Sequence, residues 1–177
     1  MLSLQIFTAL IALLVSPFLA SARPAARRNV NNFFLVATPT KTAHPTTSTG
    51  LNLIDPFHQE QFFLRAQEDA ASYSEFNLTK GTLETLAMPP NLFTLETYES
   101  NIDTDSGEFF FLPESGTPGL FSFHGQWLAF NGSTSGFTIC EPSNAIENPV
   151  VYWKGTDSTC VDTFIFRTTT DPASTST

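Results

Sequence analysis

Short runs of aromatic, β-branched and leucine residues recur along most of this chain, and residues typical of turns separate them. Runs of this length and composition predict β-strands. The only helical turn that we expect is Glu68–Ser74, and it is too short to be stable on its own. The pattern therefore predicts an all-β protein of about eleven strands, at 32–37, 61–65, 75–79, 82–86, 92–98, 108–112, 120–123, 126–130, 136–141, 150–154 and 163–167.

Two pairs of these runs flank short turns that contain glycine, Lys80–Gly81 and His124–Gly125. Alternating apolar residues on both sides of such a turn are typical of β-hairpins, and the likeness of the two segments hints at a repeated hairpin unit. So many short strands must hide their edges. We therefore expect a compact closed barrel or a β-trefoil-like set of hairpins, with a two-sheet β-sandwich as the alternative.

The two ends of the chain differ from its centre. Residues 1–22 resemble a secretory signal peptide, with an almost continuous apolar run that is followed by Ala20-Ser21-Ala22. Residues 23–31 contain the pair Arg27-Arg28, which is consistent with a pro-segment cleaved before Asn29 and equally with solvated arginines. Residues 32–167 are expected to form a single secreted domain. Residues 168–177 are rich in Ser and Thr and are expected to form a disordered tail without the hydrophobic stretch of a lipid-anchor signal.

The charge of the chain is strongly negative. Eight basic residues face 17 acidic ones, for a net charge of -9. Removal of the segment that contains Arg23, Arg27 and Arg28 would leave 5 basic residues and a net charge of -12. Since like charges repel, this balance argues against nucleic acid and anionic membranes as partners.

Cys140 and Cys160 are the only cysteines. An even pair of cysteines in a secreted chain predicts a disulfide, and closing a loop of this size contributes roughly 3 kcal/mol in the loop-entropy model. The flanking runs predict two strands, 136–141 and 150–154, stapled over a buried Trp153. A zinc site is disfavoured because the two cysteines are far apart and no histidine lies near them.

Two sequons, Asn77-Leu78-Thr79 and Asn131-Gly132-Ser133, are acceptor sequences for N-glycosylation. Both coincide with or adjoin predicted hairpin turns, where a glycan can be accommodated. We expect at least one of these asparagines to be glycosylated in a secreted protein.

No catalytic motif is present in the sequence: it has neither a Gly-x-Ser-x-Gly elbow nor a phosphate-binding glycine loop. His58 beside Asp55 is the one close pair of histidine and carboxylate, and a structural role for it is favoured over a general base. The acidic residues between Glu96 and Glu108 lack the spacing of a calcium loop and indicate a solvated edge. The sequence therefore predicts no catalytic residue, no cofactor and no metal ligand.

Aromatic residues offer an alternative to catalysis, because rings on a surface can stack on sugars. The candidates for such a platform are Trp127, Trp153, Tyr73, Tyr98 and Tyr152. Aromatic residues in strands belong more often to the core than to a binding platform, and the core is the favoured interpretation.

Several motifs resemble an uncharacterised domain of secreted fungal proteins. They are Asp55-Pro-Phe-x-Gln59, Phe63-Leu-Arg65, Phe76-x-Leu-x-x-Gly-x-Leu83, Gly136-x-Thr-x-Cys140 and, most specific, Tyr152-Trp-Lys-Gly-Thr-Asp-x-x-Cys160. The resemblance covers about residues 32–167 and extends, more distantly, to fungal cell-wall proteins of the conidiation-associated type. The Pro-rich segment 87–91 departs from the pattern, where a Gly-rich stretch is expected. The resemblance implies a fungal source, secretion and one compact domain, but it supplies no active-site residues.

These observations favour a non-enzymatic extracellular or cell-wall-associated protein whose partner is a cell-wall polysaccharide or an extracellular protein. One alternative is a secreted hydrolase that uses paired carboxylates, which requires two acidic residues in one cleft. Another is a secreted effector that binds a host protein.

Overall fold

The computed structural model describes residues 29–42, 45, 47–54, 61–89, 93–103, 105–113, 119–142 and 147–175. Strands dominate this part of the chain. They are β1 Val30–Thr38, β2 Thr49–Ile54, β3 Phe62–Gln67, β4 Phe76–Thr79, β5 Thr82–Ala87, β6 Glu96–Ile102, β7 Phe109–Leu112, β8 Phe121–His124, β9 Trp127–Phe130, β10 Phe137–Cys140, β11 Val150–Trp153 and β12 Val161–Thr168.

Nine of the strands close into a barrel. The ring runs β1-β4-β5-β6-β7-β3-β11-β10-β12 and returns to β1 through an antiparallel pairing of residues 34–38 with residues 164–168. Strand β2 bridges β1 and β3, and β8 pairs with β9 outside the ring. Closure removes the exposed edges that an open sheet would present. The prediction of a closed all-β fold is confirmed, and the two-sheet sandwich is excluded.

The pairings repeat three times, with four strands in each unit. The second and third strands of each unit form the hairpins β2–β3, β6–β7 and β10–β11, while β4–β5, β8–β9 and β12–β1 join one unit to the next. In the first and third units the first strand pairs with the fourth, as β1–β4 and β9–β12. In the second unit the corresponding strands are β5 and β8, and they are joined by a hydrogen bond from the amide of Phe121 to the carbonyl of Gly81 at 2.9 Å. This order is trefoil-like. In the first two units the first strand also pairs with the second, in β1–β2 and β5–β6. The third unit differs, because β10 pairs with β12 and not with β9.

The two predicted hairpins follow from their turn residues. Lys80 and Gly81 both have positive φ, at 50° and 88°, which is the requirement of a two-residue turn with the twist of a hairpin. In the β8–β9 hairpin Gly125 has a φ of 68°. His124 pairs with Trp127, so the turn is Gly125–Gln126, one residue later than predicted.

Phenylalanine rings fill the barrel. The fully buried ones are Phe33, Phe76, Phe109, Phe111, Phe121 and Phe137. Phe109 lies at the centre of this group, with its ring centroid 5.0 Å from that of Phe121 and 5.5 Å from that of Phe111. Each buried ring stabilises the fold by about 1.5–3 kcal/mol through removal of apolar surface from water. Alternation of buried and outward residues along the strands places these rings inside.

The disulfide between Cys140 and Cys160 is formed as predicted, but it connects different elements. It joins β10 to the residue that precedes β12, because Ile139 and Val161 are opposite each other in that pairing. Trp153 is half-buried rather than buried. Its indole packs against Phe130 and Phe137, with centroids 5.1 and 5.0 Å away.

Three other expectations need correction. The structure has twelve strands, since Thr49–Ile54 is a strand of its own. Residues 68–74 are not helical in the structure and instead form bends. The segment expected to be a disordered tail contains a 3-10 turn over Pro172–Thr175 that packs near β2.

Candidate functional site

One cavity lies on the outer wall of the barrel, where β1, β2, the end of β3 and the end of β12 meet. Its volume is about 350 Å³, and its walls include Val36, Gly50, Gln67, Tyr73, Phe166 and Thr168. Its size is that of a small-molecule site, and its lining combines a few apolar side chains, such as Val36 and Phe166, with a larger number of polar ones.

Tyr73 forms one wall and is held in place from two sides. Its hydroxyl donates to the carbonyl oxygen of Gln67 at 2.7 Å. Its ring lies directly on Gly50, where an added Cβ would be only 2.1 Å from the ring carbon Cε1. The ring of Tyr73 can therefore occupy this position only because residue 50 is a glycine.

Asn52 fixes the segment that carries Tyr73. Its side-chain oxygen accepts from both the amide and the hydroxyl of Ser74, at 3.0 and 2.6 Å, and its nitrogen donates to the side-chain oxygen of Gln67 at 2.9 Å. The amide of Leu53 in turn donates to the Ser74 hydroxyl at 3.2 Å. These tertiary bonds replace the local ones that a helical turn would make, and this explains why residues 68–74 are not helical.

A strip of aromatic rings leads out of the cavity. Phe164 and Phe166 face outward, because the alternating residues Thr163 and Ile165 are buried. The indole of Trp127 packs edge-on against both rings, with centroids 6.2 and 5.5 Å away. Phe166 thus belongs both to the cavity wall and to the strip. We call this surface, from Trp127 through Phe166 to Tyr73, the aromatic strip.

The rim of the cavity is polar and carries negative charge only. Glu68 and Asp69 are exposed on it, beside the hydroxyls of Ser48, Thr49 and other residues. No Lys, Arg or His is among the described residues that line it. The rim can therefore accept hydrogen bonds from hydroxyl or amino groups and repels anions.

A second cavity, of about 240 Å³, opens at the adjacent end of the barrel. Ala37, Ile139 and Val161 supply apolar walls, and Glu141 and Asp162 supply exposed carboxylates. Ser48 and Thr49 line both cavities, so the two are neighbours across one short stretch of chain. Each cavity therefore has two carboxylates on its walls, which keeps the paired-carboxylate alternative open.

The five predicted aromatic residues separate into three groups. Tyr98 is fully buried, and Trp153 packs on the core, as the core interpretation predicts. Trp127 and Tyr73 lie on the aromatic strip. Tyr152 donates to Glu108 at 2.9 Å, and desolvation together with this bond raises the pKa of Tyr152 to about 12. Phe164 and Phe166 were not among the residues predicted for such a platform, although their alternation with Thr163 and Ile165 is a signal for outward-facing rings.

The acidic loop between β6 and β7 is organised by hydrogen bonds within the loop. Asp103 accepts from the amides of Ser106 and Asp105 at 2.8 and 2.7 Å, and these bonds lower the pKa of its carboxyl. Hydrogen bonds from the amide and the hydroxyl of Thr159 lower the pKa of the Asp157 carboxyl in the same way. Across the described residues, no group of three or more His, Cys, Asp or Glu is placed to hold a metal ion.

The sequon asparagines lie in different surroundings. Asn131 is exposed, with a φ of 48° in the turn after β9. Asn77 is half-buried in β4, and its side-chain oxygen accepts from the amide of Asn32 at 3.0 Å. Asp55, His58, His44 and the predicted signal peptide lie outside the described residues.

The structure is a closed all-β barrel with the aromatic strip and a cavity on its wall. Comparison with known proteins adds no family: no family model, no curated protein and no solved structure matches the chain. No helix in the described part of the chain is long and apolar enough to cross a membrane.

Proposed function

We propose that this chain is a secreted fungal protein, extracellular or associated with the cell wall, that binds a polysaccharide and catalyses no reaction on it. The observation that carries the proposal is the aromatic strip, in which three rings lead into a cavity with a polar rim. Sugar rings have apolar faces that stack on aromatic side chains and hydroxyls that need hydrogen-bonding partners. The strip and rim offer both.

Three features support the secretion part of the proposal. A disulfide in a chain with an apolar leader is compatible with an oxidising compartment. The exposed Asn131 offers an accessible acceptor for glycosylation. The resemblance to secreted fungal domains points to the same location.

A secreted hydrolase is the second candidate, because each cavity has two carboxylates on its walls. A glycosidase needs one carboxyl that keeps its proton, and burial is the usual means. Glu68, Asp69, Glu141 and Asp162 are all exposed to solvent. This exposure favours binding over hydrolysis, and a screen for reducing ends released from wall polysaccharides distinguishes the two.

The test of the proposal is binding of the purified protein to insoluble wall glucan and chitin, measured by depletion from solution. Phe166→Ala and Trp127→Ala should each weaken binding about tenfold or more, since loss of one buried ring contact costs more than about 1.4 kcal/mol. Phe93→Ala is the matched control, because this ring is 97% exposed and lines neither cavity.

Two results decide the outcome. Binding by the wild type and by Phe93→Ala, with loss in the two strip variants, supports the proposal. A wild type that stays in solution with every wall polysaccharide contradicts it. Expression with the chain's own leader, followed by separation of culture fluid from washed wall, tests the location.

A further inference from the structure

The two cavities meet at the start of β2. Ser48 and Thr49 line both of them. On the neighbouring strand, Val36 faces the outer cavity and Ala37 faces the cavity at the barrel end. Because successive residues of a strand point to opposite faces, the outer cavity lies on the wall of the barrel and the other at its mouth. The short stretch at Ser48 is therefore a common rim.

We propose that the outer cavity and the mouth cavity form one extended cleft, which binds consecutive units of a linear polysaccharide without acidic groups. This inference rests on the proposed function and specifies its ligand. It assigns a binding role to the mouth cavity, whose residues the aromatic strip does not include.

The chemistry of the two cavities is similar. Each combines apolar side chains with threonine hydroxyls and two exposed carboxylates. Among the described residues that line them, neither has a Lys, Arg or His. The hydroxyl and amino groups of a sugar can donate hydrogen bonds to these carboxylates. A uronate or phosphate polymer would place like charges together, which costs affinity.

The dimensions suit a chain of sugars better than a single one. The volumes are about 350 and 240 Å³, and together they fall within the range of about 300–1,000 Å³ that is usual for ligand sites. Occupying both cavities by one polymer makes the second contact intramolecular, which raises affinity without a new binding partner. Affinity should therefore depend on chain length.

The test is titration calorimetry with the full-length mature protein and two neutral series, chitin-derived and β-1,3-glucan-derived oligosaccharides, from the disaccharide to the hexasaccharide. In at least one series the hexasaccharide should bind about tenfold or more tightly than the disaccharide. An oligogalacturonide of the same length serves as the acidic probe and should not bind.

The decisive variant is Val161→Trp, which enlarges a side chain that is 63% exposed at the mouth cavity and outside the core. It should reduce the affinity for the hexasaccharide to the value that the wild type has for the disaccharide. Leu86→Trp is the control, since Leu86 is 60% exposed and lines neither cavity.

The outcomes separate this inference from the proposed function. Equal affinity for short and long oligosaccharides, with loss in Phe166→Ala, overturns the extended cleft and leaves a single-cavity glycan binder. Unchanged hexasaccharide binding in Val161→Trp, or tight binding of oligogalacturonide, also overturns it. Absence of binding to every oligosaccharide and to wall polysaccharide overturns both.

Discussion

Gly119 lies against Gly81 so closely that a Cβ on Gly119 would be 1.6 Å from the carbonyl oxygen of Gly81. That carbonyl oxygen accepts a hydrogen bond from the amide of Phe121 at 2.9 Å, and the amide of Gly119 donates a hydrogen bond to the Thr82 hydroxyl at 3.2 Å. These contacts bring the start of β8 to the start of β5. In the other two units the first and fourth strands form a β-ladder, whereas β5 and β8 form none among the described residues and are joined by these contacts.

The first prediction concerns this contact. Gly119→Ala should lower the free energy of unfolding by about 3 kcal/mol, because the obstructing atoms are backbone and cannot rotate away. Gly125→Ala is the control: a Cβ there meets nothing within 4 Å, and the positive φ alone should cost about 1 kcal/mol. Urea unfolding measures both. Equal costs would contradict a specific contact at Gly119.

The second prediction concerns the disulfide. Replacing Cys140 and Cys160 by alanine should lower the free energy of unfolding by about 3 kcal/mol. The disulfide joins residues that are 20 positions apart and therefore restricts the unfolded chain. Reduction of the wild type should lower its free energy of unfolding by the same amount, and the stability of the double variant should not change with reductant. A variant as stable as the oxidised wild type would show that the bond contributes nothing to stability.

Most of the fold could be predicted from the sequence, because it depends on local patterns. Lys80–Gly81 specifies its turn, and alternation places Phe76 and Leu78 inside. Closure could not be predicted at the level of pairing, since it depends on the pairing of residues 34–38 with residues 164–168, which are remote in sequence. The site was predicted in part: Trp127 and Tyr73 were named, but Asn52, which fixes Tyr73, acts through tertiary hydrogen bonds that no local pattern reveals.

The third prediction concerns the buried guanidinium of Arg65, which is 3% exposed. It donates to the carbonyl of Asn148 at 2.6 Å and to Glu147 at 3.0 Å. Glu147→Ala should cost about 3 kcal/mol, because it leaves a buried charge without its counter-ion. Arg65→Met removes the charge itself and should cost less. Urea unfolding of both variants gives the comparison, and a larger cost for Arg65→Met would contradict the argument.

The last prediction is a pH dependence. Burial and the bond to Glu108 raise the pKa of Tyr152 from 10.0 to about 12. The unfolded chain releases this proton near pH 10, whereas the folded chain keeps it until about pH 12. The unfolded state therefore binds fewer protons in that window, so this contribution to stability is complete below pH 10 and is lost as the pH rises towards 12.

Tyr152→Phe isolates this contribution, because it removes the hydroxyl and keeps the ring. Below about pH 10 the variant should be less stable than the wild type by about 1 kcal/mol, the usual net value of one hydrogen bond. Urea unfolding at rising pH should show this difference shrinking, because only the wild type loses the contribution of this hydroxyl. Phenolate absorbance should show one late-titrating tyrosine that the variant lacks. A difference that stays constant between about pH 9 and 11 would mean that Tyr152 titrates as it does in the unfolded chain.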